Sequence, residues 1–115
     1  MQRDPRAFLW EVREAARAIQ AFTVGLDAKA FVSDEMVQAA VERKFEVIGE
    51  ALNQLTKLDA ALAARVPDVP QIVAFRHQLI HGYATVSPET VWHITQNALP
   101  GLLATVQGLL IDTPD

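Results

Sequence analysis

Apolar residues along this chain recur at every third or fourth position, which is the period of an α-helix, and no segment alternates like a β-strand. The first predicted helix opens after Asp4, with Pro5 in its first turn, and Gly25 is its predicted stop. Its apolar stripe consists of Phe8, Val12, Ala15, Ile19 and Phe22. The pattern therefore indicates an all-α protein from its first segment onward.

A second long helix is predicted to begin near Ser33, where Asp34 and Glu35 suit the positive end of the helix dipole. Its apolar stripe consists of Val37, Val41, Phe45, Ile48, Leu52 and Leu55. Asp59 then restarts a short helix through Ala64. These two elements account for the middle third of the chain.

The remaining segment predicts a third helix from about Pro70 to Ile80, ended by Gly82, and a fourth that Ser87 caps and Pro88 starts. The stripe of the fourth helix consists of Val91, Ile94, Ala98, Leu102, Val106 and Leu109. Pro100 lies inside it and predicts a kink, because proline lacks the backbone donor and clashes one turn back. We therefore expect an antiparallel bundle of four to five helices with a proline-kinked last helix.

Composition narrows the class of protein. A chain of 115 residues has room for one domain, here 1–115, and the absence of cysteine excludes disulfides and thiolate chemistry. No apolar run approaches the ~20 residues that cross a bilayer, and the charged amino end does not resemble a signal peptide, so we expect a soluble, cytoplasmic protein. The net charge of −4 argues against a protein that coats nucleic acid, but not against one that holds a short RNA segment in a small cleft.

The segment from Phe75 to Tyr83, FRHQLIHGY, concentrates the candidate chemistry. Arg76 and Tyr83 are seven positions apart and would share a face if the helix continued. His81 follows Arg76 by five positions and would lie off that face, unless the chain unwinds at Gly82 and brings the imidazole round. The alternative without a function is that Arg76 and His81 are an ordinary surface pair at the end of a helix.

These residue types suit RNA cleavage through the 2′-hydroxyl of the RNA itself. That reaction removes a proton from one oxygen and delivers one to another, which the imidazole of His81 can do near neutral pH. The guanidinium of Arg76 matches the charge that develops on the phosphate oxygens. Tyr83 can position substrate, and His77 is a second proton carrier, a phosphate contact or a plain surface residue.

The Arg-x4-His-x-Tyr pattern of RHQLIHGY resembles the signature of HepT-like proteins, a branch of the HEPN superfamily. Two flanking segments also resemble that family: VERKFEVIGEALNQL (Val41 to Leu55) its second helix, and VSPETVWHITQNALPGLL (Val86 to Leu103) its last helix, internal proline included. Three matches in the right order are much more specific than the short motif alone.

The resemblance implies a metal-independent endoribonuclease without a cofactor, acting as the toxin of a type VII-like toxin–antitoxin pair. It implies a homodimer in which two copies of the motif line one cleft. It also implies a cognate nucleotidyltransferase of the MntA type, which silences the toxin by attaching AMP to the motif tyrosine. Tyr83 is the only tyrosine of this chain. The other reading is a non-catalytic HEPN module that binds nucleotide or supports such a nucleotidyltransferase.

A polar stripe on the second helix offers a supporting residue for this site. The stripe consists of Glu42, Glu46, Glu50 and Asn53. It is either a solvated or dimer-facing surface, or it supplies Glu50 to pair with Arg76 or to orient His81. Gly49 on the same side would allow a close approach of two helices.

Three further features have competing interpretations. His77 and His81 have the histidine spacing of the H-E-x-x-H zinc motif, but Gln78 replaces its glutamate and no third ligand is evident. Arg6, Trp10, Arg13 and Arg17 form a basic stripe on the first helix, which is a solvated face or a surface for RNA or an acidic partner. His93 is expected to be a partly buried packing residue.

Overall fold

The computed structural model describes residues 3–82 and 86–112, and within these ranges every regular element is helical. The helices are α1 Pro5–Thr23, α2 Ala28–Val32, α3 Glu35–Leu58, α4 Ala60–Ala63, α5 Val69–His81, α6 Pro88–Asn97 and α7 Leu99–Asp112. The predicted all-α class is confirmed, and α1, α3, α4 and α5 lie where the apolar periodicity places them.

Side-chain caps explain where the long helices begin. The carboxylate of Asp4 accepts a hydrogen bond from the Arg6 amide at 2.8 Å, and that of Asp34 accepts one from the Val37 amide at 3.2 Å. The hydroxyl of Ser87 accepts one from the Thr90 amide at 3.2 Å and starts α6. Helix α5 ends at Gly82, which adopts a left-handed conformation with φ of 65° that glycine reaches without steric cost.

Helix α3 is the centre of the bundle and packs against α1 on one side and α5 on the other, while α7 packs against α1. Phe8 near the start of α1 and Leu58 at the end of α3 line one groove, so these two helices run antiparallel. The buried core is almost entirely aliphatic and includes Leu9, Val12, Ile19, Val41, Ile48, Leu52, Leu55 and Val106. This core holds α3 in place as the platform on which α5 lies.

The short helix α2 was not predicted. Asp27 caps it by accepting a hydrogen bond from the Ala30 amide at 2.8 Å, and its Phe31 is fully buried. The Phe31 ring lies 5.4 Å from the Trp92 ring, centroid to centroid, and so fastens α2 to α6. A five-residue helix is too short to show a helical period in the sequence.

The predicted last helix is interrupted at Ala98, two residues before Pro100, and so divides into α6 and α7. The backbone at Ala98 stays in the right-handed helical region and its amide donates to the Ile94 carbonyl at 3.1 Å, as expected for a kinked helix. Pro100 occupies the second position of α7, where its missing amide costs nothing. Thr95, Leu99 and Leu103 are buried in place of the predicted Ile94, Ala98 and Leu102, whereas Val91, Val106 and Leu109 are buried as predicted.

Phe22 was wrongly assigned to the core stripe of α1, since its side chain is 39% exposed. The neighbouring Thr23 is buried instead, and its hydroxyl donates to the Ile19 carbonyl at 2.9 Å. Within the two described ranges, no helix combines the length and the apolar character needed to cross a membrane.

Candidate active site at the end of helix α5

Gly49 sets the distance between α3 and α5. A Cβ atom added to Gly49 would lie 2.5 Å from Cβ and 2.9 Å from Cδ of Arg76, distances that real side chains do not tolerate. Beside this contact the rings of Phe45 and Phe75 meet edge to face, with centroids 5.4 Å apart. Because Gly49 has no side chain, Arg76 can lie directly against α3, which is the close helix approach predicted for Gly49.

The guanidinium of Arg76 is held by a carboxylate of α3. Its Nη2 lies 2.7 Å from Oε2 of Glu50, and Nε2 of Gln54 donates to the other oxygen, Oε1, at 2.9 Å. Glu50 thus pairs with Arg76, one of the two options the sequence left open for it. Gln54 was missed, although it follows Glu50 by four positions on the same helix face, the spacing at which side chains interact.

The Arg76 side chain is 19% exposed, which places it at the boundary between core and solvent. Its Nε is buried and has no hydrogen-bond partner among the described residues. An unsatisfied buried donor normally costs stability, and such atoms are tolerated at functional sites. The ion pair with Glu50 fixes the direction of the guanidinium despite this cost.

Arg76 and Glu50 lie in a groove of about 550 Å³ between α1 and α3, which we call the arginine groove. Its charged lining residues are four cations, Arg3, Arg43, Lys44 and Arg76, and four carboxylates, Glu11, Glu14, Glu46 and Glu50. Trp10 and Ile80 add apolar surface at its walls. The groove is therefore close to electrically neutral.

The two histidines of α5 stack on each other at its last turn. The rings of His77 and His81 have centroids 5.9 Å apart and planes that are 3° from parallel, and both residues are exposed. Since α5 continues through His81, the predicted unwinding that would turn this imidazole toward Arg76 does not occur. At ~100° per residue, His81 lies about 140° around the helix from Arg76. One chain alone therefore does not bring the two side chains to one face.

Tyr83, the predicted substrate-positioning and modified residue, lies outside the described residues. The described chain ends beside it at Gly82, whose amide donates to the Gln78 carbonyl at 3.3 Å and closes α5. Its predicted roles stay predictions.

Helix α5 is incompletely covered by the rest of the chain. Val69 is its only buried residue among those described, although its apolar residues also include Ile72, Val73, Phe75, Leu79 and Ile80. Ile80, one turn from Arg76, is 46% exposed. An apolar face of this kind next to charged side chains is typical of a surface that a partner covers.

The polar stripe of α3 is not uniformly solvated. Partial burial raises the pKa of Glu42 above its usual value, and the neighbouring Glu46 carboxylate raises it further. Ionisation of Glu42 is thus less favourable in the folded chain than in the unfolded one. Glu42 therefore lowers the free energy of unfolding as the pH rises from the ordinary pKa range of a glutamate through its higher pKa in the folded chain.

Within the described part of the chain, the fold brings no further ligand to the zinc site considered for His77 and His81. Among the described residues, no three His, Cys, Asp or Glu side chains are grouped so that they could hold a metal ion. His93 is exposed on α6 and faces Asn97, whose Nδ2 lies 3.1 Å from its Nδ1, so its assignment as a partly buried packing residue was wrong.

The sequence of this chain is similar to those of a known protein family. The family model described as "Ribonuclease HepT-like" matches residues 12–109. A Methanocaldococcus jannaschii protein named "Putative RNase MJ1380" is 31% identical over 108 residues, which cover 92% of this chain and 96% of that protein. A Thermococcus cleftensis protein named "Probable ribonuclease HepT" is 30% identical over 104 residues, covering 89% of this chain and 92% of that protein. No solved structure gives a significant match.

Proposed function

Because this chain belongs to the HepT-like ribonuclease family, we propose that it is a metal-independent endoribonuclease and the toxin of a toxin–antitoxin pair. The observation that carries the proposal is the arrangement at the end of α5. Glu50 holds the Arg76 guanidinium at 2.7 Å, and the same helix presents two exposed imidazoles, those of His77 and His81. A fixed cation and accessible proton carriers are the two requirements of phosphodiester cleavage without a metal.

In the proposed reaction an imidazole removes the proton of the 2′-hydroxyl, and the 2′-oxygen attacks the adjacent phosphorus. The bond from phosphorus to the 5′-oxygen breaks, and a protonated imidazole supplies a proton to that leaving oxygen. The products are a 2′,3′-cyclic phosphate and a 5′-hydroxyl. Arg76 stabilises the negative charge that develops on the non-bridging oxygens, with His81 as general acid or base and His77 as a supporting group.

The site works as a homodimer in this proposal. His81 lies about 140° around α5 from Arg76, so a second copy is needed to bring an imidazole to the guanidinium. Ile80, which is 46% exposed, and the partly buried apolar residues of α5 offer the surface for such a contact. A two-fold axis beside α5 would place Arg76 of one protomer near His81 of its partner, and the reverse. The His77 and His81 rings of that partner, which stack on each other, would supply the two imidazoles for the two proton transfers.

Cleavage in the absence of metal tests the activity directly. We expect the purified protein to cut single-stranded RNA in excess EDTA and to leave 2′,3′-cyclic phosphate ends, which mass spectrometry of the fragments detects. Full loss of activity in EDTA with recovery on adding Zn²⁺ would contradict the proposal and favour the His77–His81 pair as metal ligands. Intact RNA together with retained binding of a nucleotidyltransferase would point to a non-catalytic HEPN module instead.

The proposed antitoxin is a cognate nucleotidyltransferase of the MntA type that attaches AMP to Tyr83. Co-expression with that enzyme should increase the intact mass of this chain by whole AMP units and suppress cleavage. Tyr83 is the only tyrosine in the sequence, so Tyr83→Phe should abolish the mass increase. AMP attached to the Phe variant at the wild-type level would show that another residue is modified and would overturn this assignment.

A further inference from the structure

A second groove runs between α1 and α7. Its volume is about 490 Å³, and it is lined by Arg6, Trp10, Arg13 and Arg17 from α1 and by Leu110 and Ile111 from α7. No carboxylate is among its lining residues within the described part of the chain. We call it the basic groove, and its charge contrasts with the net charge of −4 of the whole protein.

The two grooves differ in their ability to attract a polyanion. The arginine groove balances four cations with four carboxylates, so it provides little net attraction for RNA phosphates. Outside the basic groove, Glu14 contacts both Arg13, at 3.1 Å, and Arg17, at 3.3 Å. One carboxylate shared between two guanidiniums leaves a net positive charge and most of their N–H donors for another anion.

Trp10 joins the two grooves, because its side chain lines both of them. It is 51% exposed, although tryptophan is usually largely buried. An exposed indole between arginines is the combination with which proteins hold single-stranded nucleic acid, since any base can stack on the ring while the cations contact the backbone. The surface from Arg76 across Trp10 to Arg13 and Arg17 is therefore one continuous path.

We infer that the basic groove is a binding site for single-stranded RNA, which holds the strand that leaves the arginine groove across Trp10. This inference rests on the proposed function, because it extends the substrate path of the same site. Arg6 forms part of the groove wall, with its Nη2 donating to the Leu110 carbonyl at 3.1 Å, which ties α1 to the end of α7. Arg13 and Arg17 contact phosphates, and Trp10 stacks on a base.

The test measures binding separately from cleavage. In a His81→Ala background, in which cleavage is expected to be about 10²- to 10⁴-fold slower, fluorescence anisotropy follows the binding of a labelled single-stranded RNA of about 20 nucleotides, longer than a typical ~4–16-nucleotide site. Adding Arg13→Ala and Arg17→Ala should weaken binding about tenfold and flatten the slope of log K against log salt by about 1.4 for two lost contacts. Trp10→Ala should weaken binding about tenfold, and Trp10→Phe should restore most of it.

The matched control removes the same charge elsewhere. Lys29 and Arg65 are exposed and line neither groove, so Lys29→Ala with Arg65→Ala should leave RNA affinity within about twofold of the background. Equal loss in the control and groove variants would show a general charge effect and overturn the inference. Unchanged RNA binding in the groove variants would also overturn the inference. Loss of the oligomer of the groove variants in size-exclusion chromatography would overturn it as well, because it would make the basic groove a protein interface.

The inference and the proposed function fail in different ways. Wild-type protein that cuts RNA, with binding insensitive to Arg13, Arg17 and Trp10, would overturn the inference alone. RNA binding that depends on these residues, in a protein that never cuts RNA, would overturn the proposed activity and support the basic groove as an RNA site. Absence of both cleavage and binding would overturn both.

Discussion

Replacing Arg76 by lysine is expected to slow RNA cleavage by about 10²- to 10³-fold. Lysine retains the positive charge, and its stem can follow the path over Gly49 where Cβ, Cγ and Cδ of Arg76 now lie. An ammonium lacks the planar fork of the guanidinium, so it cannot bind Glu50 through one edge and phosphate oxygens through another. The loss should appear chiefly in kcat, since this contact strengthens as charge develops on the phosphate.

The measurement compares single-turnover cleavage rates of wild type and Arg76→Lys, with thermal unfolding as the check on the fold. Arg65→Lys, a change of the same type at an exposed position before α5, should retain the wild-type rate. A variant with lysine at position 76 that is folded and fully active would exclude the guanidinium as the stabilising group.

His81→Ala is expected to lower the cleavage rate by about 10²- to 10⁴-fold, the contribution of a positioned general acid or base. The side chain is exposed and touches the ring of His77, so its removal should leave the fold and the unfolding temperature nearly unchanged. His93→Ala is the control, because His93 is also exposed and helical but lies on α6. Full activity of His81→Ala in a pure preparation would refute the proposed role.

Mixing the two inactive variants tests whether the site is shared between protomers. In a random mixture of Arg76→Lys and His81→Ala, half of the dimers combine one copy of each, and one of their two shared sites is intact. Cleavage should therefore recover to about a quarter of the wild-type rate after subunit exchange. No recovery, with exchange demonstrated by native mass spectrometry, would mean that each chain builds its site alone.

Much of the fold was predictable because it depends on local chemistry. The caps Asp4, Asp34 and Ser87 and the stop at Gly82 act within one helical turn, so a short stretch of sequence specifies them. The long apolar stripe of α3 predicted its buried face correctly from Val41 to Leu55. The motif arginine and histidines are candidates from the sequence, and their catalytic roles stay predictions.

Other features could not be predicted, because they depend on contacts between distant residues. Pro100 predicted the kink between α6 and α7, but only packing decided that Thr95, Leu99 and Leu103 are buried there rather than Ile94, Ala98 and Leu102. Phe22 fits the period of the first stripe and is nevertheless 39% exposed, while the neighbouring Thr23 is buried.

The sequence by itself determined the helical class, most of the helix starts and the candidate residues for phosphodiester cleavage, because periodicity, capping and side-chain chemistry are local properties. Tertiary structure alone decided that Gly49 seats Arg76 against α3 and that Glu50 holds its guanidinium. It also decided that His81 stays in the helix, turned away from Arg76. Those relations depend on how α5 lies across α3, and that crossing is set by the shapes of two helix surfaces that are far apart along the chain.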